Sequence, residues 1–264
     1  MNLLNRRTLL AKILILDIET SPALGYVWRL FKQNVALNQL QKETSVLSWA
    51  AKWLGEDKIF YYDTFIQSEE YIIGKLKELL DEADCVVTHN GNRFDLPRIR
   101  SACVIYGMSP PAPFKSIDTC AIAKKEFGFD SNKLEFIAKI LKCTPKMKRP
   151  KFPGFELWSE CLKGNPEAWK EMKEYNIQDI ETLEEVYLKL RPWIINHPNL
   201  AVLKEGNEIS CPKCGSEHLQ RRGFYHTNTQ KYQRYQCQGC GGWHRTRYTE
   251  YPKDKRKNIL VNTA

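Results

Sequence analysis

The apolar positions of this chain fall into runs whose period changes along its length. Lys12 to Leu16 is almost continuous Ile and Leu, the pattern of a strand buried on both faces. Val46–Leu54 and Lys58–Tyr62 flank Gly55-Glu56-Asp57, a hairpin signal. Ser68 precedes a helical pattern through Leu80, and Cys85–Thr88 reads as a short buried strand. Further helical patterns run over Leu96–Tyr106 and Lys133–Leu141. A long one opens at Pro166, a favoured first helical position, and reaches Leu190 before Arg191-Pro192 stops it. Strands come early, helices dominate later and the two interleave between, which predicts a mixed α/β core.

Beyond Pro192 the pattern fails. Breakers at His197-Pro198-Asn199 and Gly206-Asn207 mark a connector. Cys211 to Tyr248 is rich in Arg, Tyr, Gln, Gly and Cys and poor in aliphatic residues, so it needs a staple to fold. We therefore divide the chain into a core over 1–195, a linker over 196–209, a small module over 210–250 and a basic tail over 251–264.

Composition adds a charge asymmetry. The 264 residues carry 40 Lys+Arg against 31 Asp+Glu, a net charge of +9, within a globular composition that excludes wholesale disorder, collagen and a coiled-coil rod. The part up to Leu203 contributes only +2. Lys204 to Ala264, with 12 basic and 5 acidic residues, contributes +7. An anionic partner for the last quarter and a solubilising tail explain that skew equally well. No stretch approaches the apolar length of a membrane span. The opening residues imitate a signal peptide only faintly, because Lys12 interrupts the apolar run and Asp17 and Glu19 precede any cleavage site. The expectation is a cytoplasmic protein without membrane contact. The nine cysteines agree: four form two Cys-x-x-Cys pairs, and Cys85, Cys103, Cys120, Cys143 and Cys161 sit singly among apolar neighbours, which suggests a metal site and reduced thiols.

Three acidic patterns stand in order along the core. Asp17-Ile18-Glu19 ends the first buried strand, and residues i and i+2 of a strand share a face. Alone it means little, since Asp179-Ile180-Glu181 repeats it. Asn90-Gly91-Asn92-Arg93-Phe94-Asp95 follows the strand ending at Thr88 and puts Asp95 at a helix start, where compensating the helix dipole is its plainer role. Tyr175-x-x-x-Asp179 places a phenol and a carboxylate on one face of the long helix. Two-metal phosphodiester chemistry needs several carboxylates converging from different elements, because two divalent cations about 4 Å apart must be neutralised and held.

In these three patterns the sequence resembles the exonuclease motifs of the DEDD superfamily. Asp17-Ile18-Glu19-Thr20 and the Asn-Gly before Phe94-Asp95 are most similar to proofreading exonuclease domains of family-B DNA polymerases and their stand-alone bacterial and phage relatives. The resemblance spans Lys12 to Arg191. It implies an RNase H-like mixed sheet with helices on both faces, and 3′→5′ removal of nucleotides with two Mg²⁺ or Mn²⁺ ions. It is the Tyr variant, since the His variant carries His five residues before the last Asp, where this chain has Glu174. Carried over, Asp17, Glu19, Asp95 and Asp179 are the metal ligands, Tyr175 helps place the attacking water, and Thr20 and Asn90 contact the terminal nucleotide. Asp118 falls where relatives keep an Asp, in a structural role. The resemblance favours DNA over RNA as substrate, in a bacterial or phage-infected cell. It admits a replication or recombination protein as a partner in trans. An exoribonuclease remains an alternative because ribonuclease D-like enzymes share the Tyr variant, as does a non-catalytic nucleic-acid-binding accessory protein.

Outside these motifs, Tyr26, Trp28 and Phe31 either stack on a frayed 3′ end or pack against a helix, packing being the commoner use. Lys142, Lys146, Lys148, Arg149 and Lys151, followed by Phe152, Phe155 and Trp158, suit a strand-tracking groove or a solvated loop.

Cys211-Pro212-Lys213-Cys214-Gly215 and Cys237-Gln238-Gly239-Cys240-Gly241 have the spacing of two zinc knuckles, each offering two thiolates to one tetrahedral Zn²⁺. Iron in a rubredoxin-like site is the chemical rival. The segment resembles a zinc ribbon of transposases and other DNA-processing proteins. Its Arg221, Arg222, Arg234, Tyr235 and Arg245 alternate cation and ring as phosphate contact and base stacking require, although some rings must serve as the ribbon's own core. His218, His226 and His244 are expected at the surface.

Overall fold

A computed structural model describes residues 11–32, 34–144, 151–261 and 263. The chain divides into two compact units, Lys12–Tyr187 and a second that takes in Leu188–Ala264.

The larger unit is organised by β1 (Ile13–Thr20). Residues Ile13 to Leu16 are buried as the apolar run predicts, and the strand continues past them through Asp17 and Glu19. The chain then forms β2 (Leu24–Gly25) and β3 (Leu40–Lys42), a separate two-stranded ladder. β4 (Val46–Trp53) and β5 (Ile59–Asp63) follow as the expected hairpin, β4 antiparallel to β1. α1 (Glu69–Glu82) is capped by the Ser68 side chain, which accepts from the Tyr71 N–H. β6 (Cys85–Thr88) pairs parallel to β1, α2 (Asp95–Ile105) follows, and β7 (Lys115–Asp118) pairs parallel to β6. α3 (Thr119–Glu126), α4 (Leu134–Ile140), α5 (Glu156–Leu162) and α6 (Pro166–Leu190) complete the element order.

The sheet order is β5-β4-β1-β6-β7, so β1 is central and both its faces must be covered. Leu14, Leu16 and Ile18 pack with Trp49 of β4, Ile72, Ile73 and Leu76 of α1, and Leu96 and Ile99 of α2. Trp49 fixes α1 to that face by donating its indole N–H to the Ile72 carbonyl at 2.7 Å. The opposite face carries Asp17 and Glu19 and is covered by α6. There Asn176 reaches Asp17, and a nearly buried pair joins Lys52 to Glu184 at 2.5 Å.

In the larger unit β2, β3, β7, α3 and α5 were not legible; each is eight residues or shorter, so its period barely repeats. Of the two uses expected for Tyr26, Trp28 and Phe31, packing is not the one found among the described residues: they stand 70, 94 and 79 % exposed between β2 and β3.

The smaller unit holds an antiparallel sheet of order β10-β9-β8, formed by β8 (Leu219–His226), β9 (Lys231–Cys237) and β10 (Trp243–Arg245), and then α7 (Lys253–Lys257). β8 is exposed almost throughout, as expected of a module without an aliphatic core. Among the described residues, no helix is long and apolar enough to cross a membrane.

Candidate functional site

Strand register and helical period converge on one spot in the larger unit. Asp17 and Glu19 share a face of β1 opposite Ala50 and Ser48 of β4, and a register shift follows Glu19. α6 crosses this face and brings Asp179. One carboxylate oxygen from each of Asp17, Glu19 and Asp179 lies within 4.8 Å of the others. Carboxylates this close repel one another, and a divalent cation relieves the repulsion. The donor set, all oxygen, fits a hard cation such as Mg²⁺ or Mn²⁺.

Asp95 comes to the same strand from α2, outside that group of three. β6 pairs with β1 only as far as Ile15. Beyond the ladder the Ile18 N–H donates to Asp95 Oδ1 at 3.1 Å, so the carboxylate caps the backbone between Asp17 and Glu19. Asp95 is 2 % exposed. Burial pushes its carboxyl up to about 7, the Ile18 hydrogen bond opposing and nearby Asp118 adding. A neighbouring cation would draw it back toward the carboxylate form.

The loop that delivers Asp95 is held by Asp118. Its carboxylate accepts from the N–H groups of Asn90 (2.9 Å), Asn92 (3.1 Å), Cys120 (3.0 Å) and Ala121 (3.1 Å), tying the Asn90 loop to the start of α3. Asn90 itself has φ 68°. At Gly91 a Cβ would fall 2.2 Å from Thr88 Oγ1, so the loop passes its own strand at a distance open only to glycine. His89 is engaged at both ring nitrogens, with Thr119 Oγ1 at 2.8 Å and the Asn132 carbonyl at 2.9 Å, and burial holds its pKa below the usual value.

Tyr175 shares the α6 face of Asp179 and is 8 % exposed. Its ring meets Trp158 edge-on, centroids 6.1 Å apart, among Leu47, Phe152, Leu157 and Met172. Phe152 and Trp158 therefore form part of the wall around Tyr175. Thr20 and Asn90 are half-buried next to Glu19 and at the head of the Asp95 loop. Lys146, Lys148 and Arg149 lie outside the described residues.

Two polar residues of this site carried no motif. Asn176 and Ser48 are fully buried. The Asn176 amide donates to Asp17 Oδ2 at 2.9 Å, and Ser48 Oγ donates to Asn176 Oδ1 at 3.3 Å. The one available signal was Ser48 itself, a hydroxyl inside the apolar run Val-Leu-Ser-Trp-Ala-Ala.

In the smaller unit the Sγ atoms of Cys211, Cys214, Cys237 and Cys240 lie within 4.8 Å of one another. Cys211–Cys240 and Cys214–Cys237 are each 3.6 Å apart, against about 3.8 Å for neighbouring thiolates on a tetrahedral zinc. Gly215 and Gly241, after the second cysteine of each pair, have φ of 72° and 80°, which closes the knuckles. His244 departs from expectation: it is half-buried, with Nε2 3.1 Å from Cys211 Sγ. Tyr235 departs too. It is 8 % exposed, because the small module uses it as core, so its ring is not presented for base stacking. Arg221 and Arg222 are exposed. Arg234 lies 4.9 Å from the Trp243 ring centroid, and Arg245 lies 4.0 Å from that of Tyr232.

With the fold and both clusters defined, the class follows. A family profile described as RNase_H superfamily matches residues 14–191, and the chain belongs to that superfamily. A solved structure similar to it is that of the family B DNA polymerase from the hyperthermophilic archaeon Pyrobaculum calidifontis, at 16% identity with a TM-score of 0.53. The match covers 69% of this chain and 25% of the polymerase, so this chain spans about a quarter of that protein's length. No curated protein matches the sequence.

Proposed function

We propose that this chain is a divalent-metal-dependent 3′→5′ exonuclease acting on single-stranded DNA, with a structural Zn²⁺ in the four-cysteine cluster of its ribbon. The observation that carries the reading is the convergence of Asp17, Glu19 and Asp179 from β1 and α6, within a superfamily whose nucleases use divalent metals.

In this reading Asp17, Glu19, Asp95 and Asp179 hold two Mg²⁺ or Mn²⁺ ions. When bound, such ions activate water and stabilise the leaving oxygen of a phosphodiester. Tyr175, fixed by Trp158 and by its place one turn before Asp179, orients the attacking water through its hydroxyl. Thr20 and Asn90 contact the terminal nucleotide. Tyr26, Trp28 and Phe31 offer exposed rings to unpaired bases, on a segment with no acidic residue between Glu19 and Glu43. Arg221, Arg222, Arg234 and Arg245 of the ribbon hold the phosphate backbone. DNA is favoured over RNA by the motif details shared with polymerase proofreading domains.

The test uses 3′- and 5′-labelled single-stranded DNA and RNA, and duplex DNA, with Mg²⁺ or Mn²⁺. Laddering from the 3′ end that EDTA abolishes, and that Asp17→Ala and Asp179→Ala lose, is the expected result. Tight binding without cleavage under either metal would overturn it in favour of an accessory nucleic-acid-binding protein. Faster degradation of RNA would reassign the substrate.

A further inference from the structure

Asn176 is a fully buried amide in contact with a carboxylate assigned to metal binding. Burying an amide is costly unless both ends are satisfied, and here they are satisfied directionally. Asp17, when ionised, only accepts, so the NH₂ end must face it. Ser48 donates to the other end, which locks the amide against flipping. The sheet makes room for the arrangement: residue 50, opposite Asp17 on β4, is a fully buried Ala, and α6 approaches over it. The charge also fits. A Lys or Arg in this position would neutralise Asp17 and compete with a bound cation, whereas an amide orients the carboxylate and leaves its full charge.

We propose that Asn176, oriented by Ser48, is a positioning residue that presents Asp17 to the divalent ion; this rests on the carboxylate reading above. Loss of an outer-shell partner of a metal ligand lowers metal affinity by about 10–100-fold. The test is Mn²⁺ binding to the full-length protein without nucleic acid, read from the free-Mn²⁺ electron paramagnetic resonance signal and paired with kinetics and a thermal melt in EDTA. Asn176→Leu is expected to weaken Mn²⁺ binding by about 10–100-fold. It should leave KM for DNA at saturating Mn²⁺ unchanged, and raising Mn²⁺ should restore much of the rate. Ser48→Ala is expected to act in the same direction by about 3–10-fold, the value of one hydrogen bond.

Wild-type Mn²⁺ affinity in Asn176→Leu with an intact melt overturns the inference and leaves the carboxylate reading standing. If Asn176→Leu does not fold, Ser48→Ala decides by the same criterion. Asp17→Ala that binds Mn²⁺ as tightly as the wild type would instead sink the carboxylate reading itself.

Discussion

The two clusters of metal-type side chains in this molecule, four thiols and three carboxylates, are built in opposite ways. The four thiols come from two short knuckles within 30 residues of sequence, Cys211 to Cys240, each closed by a glycine with positive φ. The three clustered carboxylates come from residues 17 to 179, on β1 and α6, and Asp95 joins the same strand from α2. They meet only because β1 is the central strand and α6 crosses its polar face. A local cluster can use metal to fold the chain around it. A cluster assembled over such separation needs the fold first, since the entropy of closing those loops must be met by the core. On the proposed function, the four-cysteine module should depend on its ion for stability, and the core should depend on its ions only for chemistry.

The sharpest way to break this contrast is to remove the thiols. Cys211→Ser with Cys214→Ser should abolish one zinc per chain by elemental analysis and unfold the ribbon. Structural zinc contributes roughly 10–16 kcal/mol in such modules. The melting transition of the core should persist, and its disappearance would refute the independence of the two units.

Removing a carboxylate should do the reverse. Asp17→Ala or Asp179→Ala should lower the 3′→5′ rate by more than about 100-fold, beyond what an outer-shell partner is worth. In the EDTA melt the core transition should shift far less than the rate does, because the loss of a mutually repelling anion offsets the loss of its hydrogen bonds, in Asp17→Ala the one from the buried Asn176 amide.

The exposed segment between β2 and β3 sharpens where binding resides. Trp28→Ala with Phe31→Ala should weaken binding of labelled single-stranded DNA in EDTA, followed by fluorescence anisotropy, by about 1–3 kcal/mol for each stack lost. Truncation at Gly206 should lower the salt dependence of binding as phosphate contacts disappear. If only the truncation matters, the exposed rings serve something other than DNA.

A smaller effect tests the Asp95 loop. Gly91→Ala forces a methyl against the Thr88 side chain and should cost about 1–3 kcal/mol, an overpacking value, seen as a lower core melting temperature.

The smallest effect is a pH slope in the unit that takes in Leu188–Ala264. Burial holds His197 at about 4, although its Nδ1 contact with the Pro198 carbonyl opposes this. The unfolded chain takes up that proton from about pH 6.5. The stabilisation from the neutral ring is therefore full above pH 6.5 and is lost as pH falls toward 4. His197→Gln should flatten the urea midpoint of that unit across this window, relative to the wild type.

Much of the core was legible because its signals are local. The Ile13–Leu16 run, the hairpin around Gly55, the Ser68 cap and the Pro166 start each act within a few residues, and each appears in the fold. β2, β3, β7, α3 and α5 escaped because each is eight residues or shorter, so its period barely repeats. Tyr26, Trp28 and Phe31 were misjudged for another reason: an aromatic residue looks alike in sequence whether it is buried or exposed. Tyr235 and His244 show the converse. In a module with so little aliphatic content, the tyrosine became core and the histidine closed against a thiol.

The sequence by itself determined which residues have the chemistry for metal: the thiol spacing, the three acidic patterns and their order are one-dimensional facts. Only the tertiary structure decided how the carboxylates are held. Asp95 caps the β1 backbone because β6 stops pairing at Ile15. Asp118 grips the Asn90 loop because α3 begins beside it. Asn176 meets Asp17 from α6, and Ser48 of β4 meets Asn176, because register and helix crossing set them there. Asp118 apart, those partners are uncharged or backbone groups without a recognisable spacing, and their roles come from burial, which no single position in a sequence encodes.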